Sequence, residues 1–352
     1  MQRVSICGNP HLDNAFDNAN IWTRSLRSAR PSCKSHSIRK ETNMHRVSLH
    51  LPDLDDPPSL THSYDRGGYR ITNIEVHATG LNLPGHMAIT PDLRVLVSEF
   101  GAGAIRDITQ PGDYRIPTVG RYAWDLKYPG SIQPISDGRI LVADAGAGAI
   151  VDVSKPGKVT SDNVLYDGIS HPYSLVEFQG RLLVSFSDNS MVGMAEIRPG
   201  SRYSLDDLFV YGFPVVKTME PYPALLGCGG SWSGVLLNDR LILAHAALGA
   251  VFDVTTGGSF DELRSSRYAW GLTLPLGMTV DPLDGNLYVT ERGAGVIKRI
   301  PKTGGYARFA EPFIAGFAEP SCIRFMPNGQ TAYVCDRSWN AVYRINLEHR
   351  HA

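Results

Sequence analysis

The stretch LPGHMAITPDLRVLVSEFGAGAIRDI (residues 83–108) decides the fold, because it returns five more times. Its counterparts are YPGSIQPISDGRILVADAGAGAIVDV (128–153), HPYSLVEFQGRLLVSFSDNSMVGMAEI (171–197), GGSWSGVLLNDRLILAHAALGAVFDV (229–254), LPLGMTVDPLDGNLYVTERGAGVIKRI (274–300) and EPSCIRFMPNGQTAYVCDRSWNAVYRI (319–345). Pro84, Pro129, Pro172, Pro275 and Pro320 mark five starts and Gly230 is taken as the sixth. The starts therefore recur at steps of 45, 43, 58, 45 and 45 residues, the long step reflecting an insertion around residues 200–228. Each unit reads as an apolar strand, an Asp-Gly or Asn-Gly type turn, a second apolar strand, a Gly-rich turn and a third strand. A weaker fourth strand follows, as in RYAW at 121–124 and again at 267–270. Four short strands at such a period describe a propeller blade. The expected fold is all-β: a six-bladed β-propeller of four-stranded antiparallel blades over residues 71–347.

Blade 6 runs out of chain after its third strand. The segment Ile71-Thr-Asn-Ile-Glu-Val-His77 has strand character and precedes blade 1. It is expected to supply the missing fourth strand, closing the ring and removing an open edge.

The rest of the chain bounds the function. The 34 basic and 35 acidic residues nearly cancel, which gives no nucleic-acid footprint and no attraction to an anionic membrane. No run approaches the roughly 18 apolar residues of a membrane span. The five cysteines, Cys7, Cys33, Cys228, Cys322 and Cys335, fit no zinc spacing and read as reduced structural thiols, hence a cytoplasmic protein. Cys322 and Cys335 are placed on neighbouring strands of one blade. Residues 1–60 read as a disordered or irregular extension. Its first 43 residues are Arg- and Ser-rich, which also fits a transit peptide or an upstream start, and 51–60 read as an irregular linker.

These units resemble the NHL-type six-bladed propellers and the related SMP-30/gluconolactonase, strictosidine-synthase and streptogramin-lyase-like propellers. The resemblance rests on the Pro-x-Gly starts, on DGRILVAD (137–144), on DGNLYVTE (284–291) and on third strands such as VIKRI (296–300). It implies hydrolase, lyase, synthase or plain binding functions on one fold. The lactonase-type members share a metal-holding Glu at the entry to the first blade. Here that entry is Leu83-Pro-Gly-His86, without the Glu, and the lyase group has seven blades rather than six.

Strand alternation brings two columns to one face of the ring. The entry column, two residues past the proline position, holds His86, Ser131, Ser174, Trp232, Gly277 and Cys322. The exit column, at the end of the second strand, holds Glu99, Asp144, Phe186, His245, Glu291 and Asp336. The acids of the exit column read equally as caps of their own turns. The candidate assignment takes His86, His245 and Glu291 as catalytic and Trp232, Tyr173 and Glu99 as substrate-binding. His171 and Glu319 precede blade starts three blades apart and are candidate ligands of a divalent metal, Ca, Mg or Zn. Three readings stay open: metal-assisted hydrolysis or elimination of a small molecule in the central channel, a non-catalytic ligand- or protein-binding scaffold, and a metal-free synthase with Trp232, Tyr173 and Glu319 lining an apolar pocket. The GAGAI repeats (101–105 and 146–150) read as turns, not phosphate loops.

Overall fold

In the computed structural model, residues 44–48, 59–63, 69–169, 171–186, 191–197, 210–214, 231–256 and 262–349 are described. The insertion around 200–228 lies largely outside them, as do residues 1–43 with Cys7 and Cys33, and Cys228. Six sheets carry the described chain, each beginning with the strand that follows a blade start. Those first strands are Pro84–Ile89, Pro129–Pro134, Pro172–Phe178, Ser231–Leu237, Pro275–Val280 and Pro320–Phe325. Each packs against the first strand of the next blade, and the sixth packs against the first, so they line a closed axis. No described helix is long and apolar enough to cross a membrane.

Six apolar clusters fill the six spaces between blades, which is why strands such as Val95–Glu99 and Ile140–Asp144 are buried at every position. Leu96 and Ile105 of blade 1 meet Ile132 and Val142 of blade 2 in one such cluster. Met87 and Val97 meet Cys335 and Val342 across the junction of blades 6 and 1 in another. A sheet packed on both faces needs apolar residues on both, and this produces the near-continuous apolar runs of the sequence.

Closure follows expectation. Tyr69–Thr79 pairs antiparallel with Ala341–His349, from Val342 opposite Ala78 to His349 opposite Tyr69, and forms the fourth strand of blade 6. The Tyr69 hydroxyl also donates to Asp281 Oδ1 at 2.6 Å, tying this strand to blade 5.

Two features go beyond the four-stranded unit. Met44–Ser48 and Ser59–Ser63 form a hairpin whose second strand pairs with Ile314–Ala315, widening blade 5. Ser59 and Leu60, at the end of the presumed linker, are thus strand, and Leu60 is fully buried. In addition, two-residue parallel pairings carry the loop before a fourth strand onto the preceding blade. Gly112–Asp113 pairs with residues 78–79 of blade 6, Gly157–Lys158 with 123–124 of blade 1, and Gly305–Tyr306 with 269–270 of blade 4.

The GAGAI segment is a turn between second and third strands. Gly103 has φ +60°, and a Cβ there would stand 2.2 Å from Leu126 O. Only glycine combines that backbone with that approach.

Candidate mouth site

The exit-column acids have one shared job. Glu99 Oε1 accepts from Asn82 N at 2.9 Å, Asp144 Oδ1 from Lys127 N at 2.8 Å, Glu291 Oε2 from Thr273 N at 2.9 Å and Asp336 Oδ2 from Ala318 N at 2.7 Å. In every case the donor lies two residues before the blade-start proline, so each acid caps the connection that enters its own blade. Burial pushes Asp144 up to about 6 against the pull of those N–H groups, and it raises Glu291 and Asp336 as well. In blades 1 and 5 the second oxygen of the cap faces a buried cation of the third strand. Arg106 donates to Glu99, and Lys298 Nζ stands 3.4 Å from Glu291 Oε1. Each cation in turn donates to carbonyls of the following loop.

His245 takes this slot in blade 4 and is 1% exposed. Its Nδ1 accepts from Leu248 N at 3.3 Å, leaving Nε2 as the protonated nitrogen, buried and without a hydrogen-bond partner among the described residues. Burial holds the ring down to about 4. The side chain of Phe186, in the same slot of blade 3, lies outside the described set.

The entry column is mostly a belt joining blades. Ser131 Oγ accepts from Leu175 N at 3.2 Å, Ser174 Oγ from Gly234 N at 3.1 Å, Ser233 Oγ from Met278 N at 3.3 Å, and Cys322 Sγ from Met87 N at 3.3 Å. Each side chain satisfies a backbone N–H of the next blade. Gly277 has no side chain to offer; a Cβ there would stand 2.4 Å from Ser321 O, so blade 6 approaches too closely for anything else.

The belt corrects the alignment of blade 4. Ser231 pairs with His245 as Pro84 pairs with Glu99 and Pro172 with Phe186, so Ser231, not Gly230, holds the proline position. Ser233 therefore belongs to the entry column and Trp232 to the position before it. That position reads Gly85, Gly130, Tyr173, Trp232, Leu276 and Ser321 around the ring. Blades 3 to 5 contribute bulk and blades 6, 1 and 2 contribute almost none.

This asymmetry shapes a cup at one end of the axis, lined by Gly85, His86, Tyr173, Trp232, Leu276, Ser321 and Arg337. The cavity proper is about 10 Å³, room for one water molecule, so the cup is a shallow depression. The Tyr173 and Trp232 rings meet edge-on with centroids 4.1 Å apart, and His86 meets Tyr173 edge-on at 5.4 Å. His86 is 5% exposed, and burial, with the Arg324 and Arg337 charges, lowers it to about 3. It is a neutral imidazole at physiological pH. Arg337 lies on the rim with its guanidinium 4.9 Å from the centroid of Phe100.

Of the expected site residues, the cup brings together His86, Tyr173 and Trp232. Glu99, Glu291 and His245 sit in the capping slots and are not among its lining. Glu319 Oε1 accepts from Arg292 Nε at 2.7 Å and its Oε2 from Ser338 Oγ at 2.8 Å. Burial raises its carboxyl, but Arg292 and these bonds hold it below the usual range. His171 is exposed with φ +46° at the entry to blade 3. Arg337, Ser321, Leu276 and Gly85 are the members that the sequence reading did not select.

A divalent metal does not fit this donor set. The capping carboxylates are engaged by backbone N–H groups, and the cup offers one imidazole beside a guanidinium. No group of three His, Cys, Asp or Glu residues converges among the described residues.

No family model and no curated protein matches the chain. Solved structures do. A protein provisionally named gluconolactonase is 12% identical, with TM-score 0.54, and the match covers 82% of this chain and 95% of that one. The PQQ-bound aldose sugar dehydrogenase of Streptomyces coelicolor is 13% identical, with TM-score 0.53, covering 80% and 99%. An auxiliary nutrient binding protein of Bacteroides ovatus is 11% identical, with TM-score 0.50, covering 83% of each. At such identities the likeness establishes the architecture, a six-bladed β-propeller, and leaves the activity to the site.

Proposed function

We propose that this propeller binds a small organic molecule in the mouth cup, without a metal. The observation that carries this is the one-sided mouth. Tyr173, Trp232 and Leu276 wall one half, while His86 and Arg337 supply the polar groups on the other. A few polar groups beside an apolar face have the composition of a small-ligand site; at rest the depression holds about one water, so a ligand must displace part of the Tyr173–Trp232 wall to seat in it. Hydrolysis or elimination is the second reading; His86 is the one histidine of the cup, and with burial holding it to about 3 it would serve as a hydrogen-bonding group rather than as a strong base. The synthase reading keeps the Tyr173–Trp232 wall but loses its acid, because Glu319 is engaged elsewhere.

The test is a panel of small lactones, aryl esters and sugar acids, scored by thermal shift and by product analysis with and without chelator. Stabilisation that Trp232→Ala removes supports the cup. Turnover that survives chelator and is lost in His86→Gln adds the catalytic reading. Turnover abolished by chelator would return the chemistry to a metal and overturn the metal-free proposal.

A further inference from the structure

Blade 6 departs from the other five at two facing positions. In the entry column, blades 2, 3 and 4 carry a serine whose hydroxyl accepts from a backbone N–H of the next blade. Opposite that column, on the second strand, Ser98, Ser185 and Thr290 accept from the N–H of His86, Ser174 and Gly277 of their own blades. Blades 2 and 4 have Ala143 and Ala244 there. Blade 6 alone has a thiol in both places, Cys322 and Cys335. A thiol is a weaker acceptor than a hydroxyl, so the belt does not account for the exchange. The two cysteines are direct partners across an antiparallel pair, are fully buried, and share one cluster at the seam between blades 6 and 1. Residues so placed point to one face with Cα atoms roughly 4.5–5.5 Å apart, within the span of about 4.4–6.8 Å that a disulfide bridges. The first strand is bulged between Pro320 and Cys322, a device that re-aims a side chain. Both thiols are free, and Cys322 Sγ accepts from Met87 N at 3.3 Å across the seam.

We infer that Cys322 and Cys335 are a redox modification site: a small disulfide such as oxidised glutathione joins them into a cross-strand disulfide while the seam between blades 6 and 1 is open, and the bond loosens the seam that then closes over it. One protein thiolate attacks the glutathione disulfide and releases a glutathione thiolate. The second protein thiolate attacks the resulting mixed disulfide, and the second glutathione leaves. The protein gives up two protons and two electrons, and two reduced glutathiones carry them away. The closed ring permits neither step, since both sulfurs are fully buried and burial raises the Cys335 thiol. The oxidation state is therefore fixed before closure, and closure shields it from oxidant and reductant alike. Drawing Cys322 Sγ onto Cys335 takes it from Met87 N and leaves that N–H, inside the seam, without its acceptor.

The test uses the full chain with Cys7→Ser, Cys33→Ser and Cys228→Ser, refolded from urea in an oxidising glutathione buffer, then alkylated under denaturing conditions and weighed. The refolded chain should have lost two hydrogens and take no alkyl label. The folded, reduced chain kept in the same buffer for the same time should still take two labels. Amide exchange at Met87 should be at least about tenfold faster in the oxidised ring, the scale of one hydrogen bond. Exchange at Leu175, bonded to Ser131 at another seam, should not change. Cys322→Ser should abolish the mass loss and keep Met87 protected, because serine is the acceptor that blades 2 to 4 use. A refolded chain carrying only free thiols or glutathione adducts overturns the pair, and so does a bridged chain that fails to fold. Equal oxidation of the folded and refolding chains overturns its fixing before closure. A disulfide with unchanged exchange at Met87 overturns its hold on the seam.

Discussion

Removing the charge of Glu99 tests whether the exit-column acids are structural. Glu99 and Arg106 are 1% and 4% exposed. Arg106 donates to Glu99 and also to Pro117 O and Val119 O, both at 2.6 Å, so it is locked in place. Glu99→Gln keeps the shape and an acceptor for Asn82 N, but turns an amide toward a buried guanidinium that cannot shed its proton. Breaking a buried pair from one side costs about 3–5 kcal/mol. For a domain of this size that lowers the melting temperature by on the order of 10 °C. Glu291→Gln should cost less. Its partner Lys298 is bonded to Ala307 O at 2.6 Å, and a lysine can neutralise itself when its counterion is lost. Urea denaturation of both variants and of Glu99→Gln/Arg106→Met gives the order and the coupling, with the double variant recovering part of the loss. A Glu99→Gln cost below about 1 kcal/mol would refute the reasoning. So would Glu291→Gln proving the more damaging, or a loss of ligand binding at unchanged stability, which would return Glu99 to the substrate.

Ser174→Ala should destabilise by about 1–3 kcal/mol, because it orphans the Gly234 N–H inside the ring, whereas Ser136→Ala on the surface should not; chemical denaturation compares them. His86 is held neutral in the folded chain, while the unfolded chain protonates it near 6.5. The folded state therefore binds fewer protons between that value and about 3, and stability drains away as pH falls through the window. His86→Phe should flatten that decline by up to about 1.4 kcal/mol per pH unit, read from unfolding midpoints at pH 7, 6 and 5. Cys322 and Cys335 lie opposite each other on paired strands, both fully buried, and burial raises the Cys335 thiol. In a Cys7→Ser/Cys33→Ser/Cys228→Ser background, thiol reagent should react only as fast as the chain unfolds; rapid reaction of the native protein would contradict the packing.

The fold was legible because each blade repeats a turn-bounded apolar pattern. Closure was legible because blade 6 lacked a strand and Ile71–His77 had no other partner. Blade 4 slipped by one residue since no proline marks its start, and Gly229-Gly-Ser-Trp-Ser233 offers two registers that only pairing with His245 resolves. The hairpin of Met44–Ser48 and Ser59–Ser63 was missed, because strands of five residues with mixed polarity carry no readable period. The site was half legible. His86, Tyr173 and Trp232 share the cup, but the acids that drew attention are caps. A carboxylate at a strand end reads the same whether it meets a backbone amide or a substrate. Arg337 gave no local signal at all; its meaning comes from Phe100, which is brought beside it only when blades 6 and 1 meet.

The strand Tyr69–Thr79 is among the first described parts of the chain to be synthesised, yet its partner Ala341–His349 is the last. During translation residues 80–340 must therefore emerge before the ring has anything to close upon. Contacts of such sequence separation make folding slow, and the waiting segment is an unpaired edge throughout. Arg70 and Glu75, which pair with Glu348 and Arg344 of the partner strand once the ring is closed, are the charges that guard such an edge against a wrong neighbour. Nascent chains stalled before residue 341 should consequently be protease-sensitive at Tyr69–Thr79, and extension past residue 349 should protect that strand.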